Sequence, residues 1–420
     1  MRVLIINTSE RMGGAAVAAS RLMNALNNNG VKAKMLVRDK QTDQISVVKL
    51  DGGWKQKWNF LWERLVIWAS NYFSKKNLFS VDIANTGTDI TLLPEFKEAD
   101  IIHLHWVNQG MLSLKNLRKI FNSNKPVVWT MHDMWPCTGV CHHARECEAY
   151  HTQCGNCPYL LGKKRKDLAY RIFRNKMHLY ENARLHFVAC SEWLKNQAEK
   201  SALLSGKAVS QIPNPLNMHL FKPEDKQIAR KLLKLPLEKK LILFGSVKIT
   251  DKRKGIDYLI EACRLLADKH PEMKENTGVV VVGAHSEELK EMLPFPVYAQ
   301  NYVSDEKRMV QLYNAADLYL TPSLEENLPN TIAEATACGT PCVGFHIGGI
   351  PEMIDHRTNG YIANYRDAED LANGIYWILM EANPEVLRQN ARQKAQSTYG
   401  ESHIALKYLN VYNKVSRRNE

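Results

Sequence analysis

One pattern repeats from end to end of the chain: a short apolar, β-branched run followed by a longer amphipathic stretch. In the first half the runs are Val3–Asn7, Ala33–Val37, Ile101–His105, Val127–Met131 and His186–Ala189. In the second half they are Leu241–Phe244, Val279–Val282, Leu318–Thr321, Cys342–Phe345 and Gly360–Ala363, the first two closing at Gly245 and Gly283. Runs without polar alternation predict strands buried on both faces, and therefore parallel sheets covered on either side by helices. Two such series predict an α/β chain of two doubly wound, Rossmann-like domains. The length of 420 residues agrees, being too great for one core and suited to two of about 200 residues.

The break between the series falls at Ile212-Pro213-Asn214-Pro215, with Pro223 close behind. Prolines so spaced belong in neither a helix nor a central strand, so a linker is expected here. The predicted domains are residues 1–210, residues 211–395, and a C-terminal helix over residues 396–420 that packs back on the first domain. Helical patterning in this tail runs from about Gln393 to Val415. Ligands of doubly wound sheets bind at the C-terminal ends of the strands, so two such domains facing across a cleft would share one site.

The formal charge is +12, which calls for an anionic partner: nucleic acid, an acidic membrane surface or a phosphorylated small molecule. The opening Met1–Asn7 holds too short an apolar run for a signal peptide and reads as a first strand. No segment approaches the roughly 18 apolar residues that a membrane span requires. A cytoplasmic protein is therefore expected. Its nine cysteines are read as core residues, metal ligands or reactive thiols rather than disulfides.

The segment richest in chemistry is Thr321-Pro322-Ser323-Leu324-Glu325-Glu326-Asn327-Leu328-Pro329-Asn330-Thr331-Ile332-Ala333-Glu334-Ala335, continuing through Cys338-Gly339-Thr340-Pro341. A strand over Leu318–Thr321 leads to a helix that opens at Pro329 or Asn330 and ends before Gly339. The loop between them would turn backbone N–H groups of Leu328, Asn330 and Thr331 toward a diphosphate. Glu326 and Glu334 bracket this anion site. Glu334, on the helix, suits the paired hydroxyls of a ribose, and Glu326, with Asn327 beside it, suits a sugar beyond the phosphates. The plainer reading is an acidic first turn that complements the helix dipole.

With this string in place the sequence resembles glycosyltransferase family 4, a group of retaining enzymes with the GT-B fold. The resemblance runs over essentially the whole chain and is strongest over residues 241–363. Other family-like pieces follow in order: Gly245 to Lys254-Gly255, Tyr313-Asn314-Ala315-Ala316-Asp317, Gly348-Gly349-Ile350-Pro351-Glu352, Thr358-Asn359-Gly360 and the Ile212–Pro215 linker. The resemblance implies that Glu326 lies near the donor sugar and that Glu334 binds the nucleotide ribose. It also implies cations beside the diphosphate, where charge grows as the glycosidic bond breaks. Lys254 matches the family lysine, but Ser246 stands where the family has an arginine. Lys248 or Arg253, in a lengthened basic loop, is expected to replace it; a solvated basic loop is the alternative.

In the first domain, His132 follows the Val127–Met131 strand and resembles the family histidine that touches the donor sugar near the acceptor. The alternative is a core histidine satisfied by Asp133. Gly13-Gly14 after the first strand allows close approach of a ligand to the backbone. Tyr302 and Val303 fall in the region expected to meet the nucleotide base. The Asp-x-Asp triplet that holds a metal on the diphosphate in other glycosyltransferases is missing from the sequence. No catalytic cofactor is expected.

Two segments stand outside this core. Cys141, Cys147, Cys154 and Cys157, with Cys137, His142 and His143 nearby, suit a structural zinc site, or else reduced core thiols. Residues 54–73 form an amphipathic helix. Trp54, Trp58, Leu61, Trp62, Leu65, Val66, Trp68, Ala69 and Tyr72 share one face; Lys57, Asn59, Glu63, Arg64 and Asn71 take the other. Flanked by Lys55, Lys75 and Lys76, it suits either an anionic membrane surface or an ordinary core-facing helix. Lys163, Lys164, Arg165, Lys166, Arg171, Arg174 and Lys176 add positive charge farther on.

The expected function is transfer of a sugar from a UDP- or GDP-sugar, with retention, to a glycan or isoprenoid-linked acceptor in cell-surface polysaccharide biosynthesis. The expected location is the cytoplasm, with the protein peripheral on the inner face of the membrane. Two alternatives are a nucleic-acid-binding protein built on the cysteine module and a nucleotide-sugar epimerase. Scattered basic residues argue against nucleic acid as a partner.

Overall fold

The computed structural model describes residues 1–162 and 164–417; Lys163 of the basic run and residues 418–420 of the tail lie outside the described residues. Two compact units are present: Met1–Pro215 with the residues from Glu401 onward, and Leu216–Gly400.

The first unit holds a seven-stranded sheet. Its strands are β1 (Arg2–Ser9), β2 (Lys32–Asp39), β3 (Val47–Lys49), β4 (Ile101–Leu104), β5 (Val127–Met131), β6 (Leu185–Ala189) and β7 (Ala208–Gln211), in the order β3-β2-β1-β4-β5-β6-β7. Every pairing is parallel. The second unit holds β8 (Lys240–Lys248), β9 (Thr277–Ala284), β10 (Val297–Gln300), β11 (Leu318–Thr321), β12 (Cys342–Phe345) and β13 (Gly360–Ala363), in the order β10-β9-β8-β11-β12-β13, again all parallel. Counted from its own first strand, each sheet begins 3-2-1-4-5-6. The direction of winding therefore reverses between β1 and β4, and between β8 and β11.

The ten predicted strands are all present. Three more, β3, β7 and β10, lie at sheet edges, where few of their residues are buried and no continuous apolar run is needed. β8 runs past its expected end at Gly245 to Lys248, with a shift of register against β9 between those two residues. The predicted single tail helix is two helices, Pro384–Tyr399 and Glu401–Arg417, divided at Gly400.

The Glu401–Arg417 helix packs beside α1 (Gly14–Asn28), burying Ile404, Ala405, Tyr408 and Tyr412 with Ala19, Leu22 and Leu26. His103 of β4 ties it down. Its Nδ1 lies 2.7 Å from the Tyr412 hydroxyl and its Nε2 2.8 Å from Thr130 Oγ1, which in turn meets the Tyr408 hydroxyl at 2.9 Å. Burial pushes the His103 pKa down to about 3, so the ring sits there uncharged.

The Trp-rich helix, α2 (Gly53–Ser70), is turned against the rule for surface helices. Its buried residues are Gln56, Asn59, Glu63, Arg64 and Ile67, while Trp54, Trp58 and Trp62 face outward and Trp68 is half-buried. The core-facing reading of its apolar side is therefore corrected. Underneath runs an irregular segment, residues 77–88, whose backbone groups require partners. Glu63 Oε1 accepts from the N–H groups of Ile83 at 2.9 Å and Ala84 at 2.7 Å. Arg64 donates to the carbonyls of Leu78 and Val81 and pairs with Asp82. Polar side chains of the helix thus take the place of a neighbouring strand.

Candidate active site

In the second unit, chemistry gathers where β8 and β11 leave the sheet side by side. The segment after β8 closes in a short turn, Lys252–Lys254, capped by Gly255 at φ +72°. A β-carbon on Gly255 would stand 1.7 Å from the Pro322 carbonyl oxygen, so this turn lies directly on the segment leaving β11. The Leu324 N–H donates to the Arg253 carbonyl at 2.7 Å and fixes the two loops together. The Lys254 ammonium and the Glu326 carboxylate form an ion pair across this junction. A third loop, after β12, completes the frame. Gly348, at φ +56°, lies so close to the Glu326 carbonyl that a β-carbon would be 1.8 Å from it, and the Gly349 N–H donates to the Asn327 carbonyl at 2.7 Å.

The helix after this loop runs over Asn330–Ala337 with Pro329 at its cap, and Gly339 follows it at φ +79°. Pro329 has no side-chain acceptor for the N–H groups of the first turn, which carries Asn330 and Thr331. Leu328 is half-buried just ahead of it and Asn327 is buried. Glu334, one turn in, is buried; its Oε2 accepts from the Tyr313 hydroxyl at 2.8 Å, which fixes the carboxylate's orientation. Burial and the Glu334 charge push the Tyr313 phenol well above its ordinary pKa, keeping it a donor. Glu326, Glu334, Lys254 and the helix start therefore belong to one frame.

The remaining cations occupy different positions. Lys248 ends β8 and is exposed. Arg253 is held by Asp251, with Nε 3.1 Å from Oδ1 and Nη2 2.8 Å from Oδ2. Ser246, at the place of the family arginine, donates its hydroxyl to the Lys248 carbonyl. Tyr302 is exposed and Val303 half-buried on the segment that follows β10.

In the first unit, His132 lies at the C-terminal end of β5, half-buried. Its Nε2 is 2.9 Å from His105 Nδ1 and its Nδ1 3.5 Å from Cys190 Sγ. Burial lowers the His132 pKa to about 4, so the imidazole is neutral at pH 7. Asp133 makes other bonds: Oδ2 accepts from Trp106 Nε1 at 2.9 Å and His142 Nδ1 at 2.7 Å, and Oδ1 from the Trp135 N–H at 2.8 Å. Gly13, at φ +91°, caps α1 after β1, with open space around it and Gly14 opening the helix.

Sequence reasoning missed the group behind Asp133. His142 bridges Asp133 and Asp82, its Nε2 2.6 Å from Asp82 Oδ2, and Asp82 in turn pairs with Arg64. Burial alone would discharge this ring, but the two carboxylates hold its pKa up at about 10. The sequence offered only His142 itself, noted as a neighbour of the cysteines and given no role.

The zinc expectation finds no support. Among the described residues, no group of three or more His, Cys, Asp or Glu side chains is arranged to hold a metal ion. Cys141, Cys147, Cys154 and Cys157 instead line a small apolar pocket with Val140, Ala144 and Tyr159. Burial raises the thiols of Cys141, Cys154 and Cys157 to about 12, so they pack as small neutral side chains.

Known proteins share this architecture. Residues 12–220 match the family model described as Glycosyltransferase Family 4, and residues 238–381 match Glycosyl transferases group 1. An uncharacterized glycosyltransferase of Haemophilus influenzae is 31% identical over 156 residues, 36% of this chain and 42% of that protein. One of Methanocaldococcus jannaschii is 25% identical over 367 residues, 80% of this chain and 90% of that one. For several curated relatives, the match spans about half of the relative's own length. Among solved structures, sucrose-phosphate synthase from Thermosynechococcus elongatus superposes with a TM-score of 0.68 at 19% identity, covering 99% of both chains. Anabaena HepE in complex with UDP-glucose gives 0.63 at 17%, covering 99% of this chain and 100% of that one. The fold is thus GT-B, two parallel-sheet α/β units of the glycosyltransferase type. The chain belongs to glycosyltransferase family 4.

Proposed function

We propose that this protein transfers a hexose from a UDP- or GDP-sugar, with retention of configuration, to a glycan or isoprenoid-linked acceptor at the cytoplasmic side of a membrane, in the building of a cell-surface polysaccharide. The single observation that carries the reading is the Lys254–Glu326 pair, set where the segments leaving β8 and β11 meet. Strand ends at such a reversal are where doubly wound sheets take phosphorylated ligands. The HepE complex shows that a protein of the same fold holds UDP-glucose.

In this reading Glu334 accepts hydrogen bonds from the ribose hydroxyls. The first turn of the Asn330–Ala337 helix and Lys254 take the diphosphate. The bond between the anomeric carbon and the phosphate oxygen breaks, and its electron pair goes to the diphosphate, whose growing charge Lys254 and the helix N–H groups stabilise without a catalytic metal. The acceptor hydroxyl adds to the same face of the sugar through a short-lived ion pair. Its proton passes to the departing phosphate oxygen, so configuration is kept. Glu326 holds the sugar, and neutral His132, its ring held by His105 and Cys190, stands near the acceptor. Lys248 supplies the second cation in place of the family arginine, since Arg253 is engaged by Asp251.

The test is transfer by Glu326→Ala and Lys254→Ala proteins, with nucleotide release and glycan product both measured. Loss of transfer with unaltered thermal unfolding supports the assignment; near-normal rates in either protein contradict it. Nucleotide-sugar isomerised without any acceptor would point to an epimerase instead.

A further inference from the structure

We infer that the outward aromatic face of α2 is a docking surface for an anionic lipid bilayer. The inference stands apart from the transfer chemistry, because α2 carries none of the candidate active-site residues.

The helix is inside out, and the cause is local. Glu63 and Arg64 are drawn inward by the N–H and carbonyl groups of residues 78–84, and Gln56 donates inward to the Leu50 carbonyl at 2.6 Å. The same rotation leaves Trp54 85%, Trp58 55%, Leu61 57%, Trp62 43% and Leu65 46% exposed on one side. Trp58 and Trp62 stack there at 6.2 Å between rings. Just beyond the helix, Tyr72, Phe73 and Phe79 are exposed as well. Single exposed apolar residues need no explanation, but a contiguous aromatic surface does.

Charge selects the occupant. Lys55, Lys57, Lys75 and Lys76 are exposed around this surface, whereas the sole acid between Trp54 and Ser80 is Glu63, which is fully buried. At the C-terminal end of the helix, Asn71 Oδ1 accepts from the Leu161 N–H at 2.7 Å, and the exposed Lys164, Arg165 and Lys166 follow in the chain. A protein partner would call for a surface from which lysine is depleted. Tryptophan bordered by lysine, with acids withdrawn, fits the headgroup level of an acidic bilayer, with rings at the acyl boundary and ammonium groups at the phosphates. The helix is laid flat by its inward bonds. Among the described residues no helix is long and apolar enough to cross a membrane.

The test uses the full chain and vesicles of phosphatidylcholine alone or mixed with phosphatidylglycerol. The wild type is expected to sediment with the mixed vesicles, its tryptophan emission shifting to the blue. Binding should fall at least about tenfold on phosphatidylcholine alone and at high salt. It should fall as far in a Trp54→Ser/Trp58→Ser/Leu61→Ser protein and in a Lys55→Glu/Lys57→Glu protein. These side chains are exposed, so thermal unfolding should be unchanged and a folding defect is excluded directly. The inference is overturned if the wild type ignores the mixed vesicles or if both variants bind as well as it does. It is also overturned if light scattering without lipid shows a dimer that the triple substitution disperses, since a second copy would then cover the face.

Discussion

Lys254 and Glu326, 72 residues apart in sequence, form an ion pair that joins the segments leaving the two strands where the second sheet reverses its winding. In the proposed reaction the carboxylate holds the ammonium in place until a donor diphosphate competes for it. Lys254→Ala is expected to lower kcat/KM by about two to three orders of magnitude, the effect of removing one charge-stabilising donor. Glu326→Gln should lower kcat more than it raises KM. Steady-state kinetics against donor concentration separate the two, and a pure KM effect in both proteins would contradict a role in the chemical step.

Gly255 allows the two loops to touch. A β-carbon there meets the Pro322 carbonyl at 1.7 Å, in a backbone conformation that already disfavours alanine. Gly13 has a comparable φ of +91° but open space around it. Gly13→Ala should therefore destabilise by about 1–3 kcal/mol, from backbone strain alone. Gly255→Ala should cost more and should also weaken donor binding. Urea unfolding and donor titration of both proteins check this, and equal behaviour would mean that the loop contact is unimportant.

His142 is charged because Asp133 and Asp82 outweigh its burial. Its folded pKa of about 10 lies above the ordinary 6.5, so its stabilising effect is complete below about pH 6.5 and fades as pH rises toward 10. His142→Gln should cost about 3 kcal/mol near pH 6, since it takes the paired cation from Asp133 and leaves Asp82 with Arg64 alone. The gap to wild type should shrink as pH approaches 10. Unfolding midpoints measured from pH 5 to about 10 give the profile, and a constant gap would contradict a charged ring.

Tyr412 holds the last helix through His103 at 2.7 Å. Tyr412→Phe should cost about 1–2 kcal/mol, because a buried ring nitrogen is left without its partner. Leu406→Ala, at a position 56% exposed on the same helix, should be near neutral. Thermal unfolding of both proteins distinguishes a specific latch from general helix packing.

The sheets could be read from sequence wherever burial on both faces forced unbroken apolar runs. Leu318–Thr321, Cys342–Phe345 and Gly360–Ala363 coincide with their strands. The edge strands escaped because Ala208–Gln211 and Val297–Gln300 are only partly buried and carry no such run. The helix bearing Glu334 was legible because Pro329 and Gly339 mark its two ends chemically. What remained hidden depended on distant partners. Nothing local says that Glu63 and Arg64 turn inward, since the groups receiving them lie near Asp82. Nothing in the cysteine spacing says that the thiols pack in an apolar pocket, and nothing near His142 announces Asp82.

The measurement that bears most directly on the account is calorimetric titration of the protein with UDP, GDP and their glucose conjugates, beside the Glu334→Ala protein. One nucleotide series should bind to saturation in the wild type, with affinity falling at least about tenfold when the Glu334 carboxylate is removed. No binding of either series, or equal affinity in the two proteins, would contradict the account.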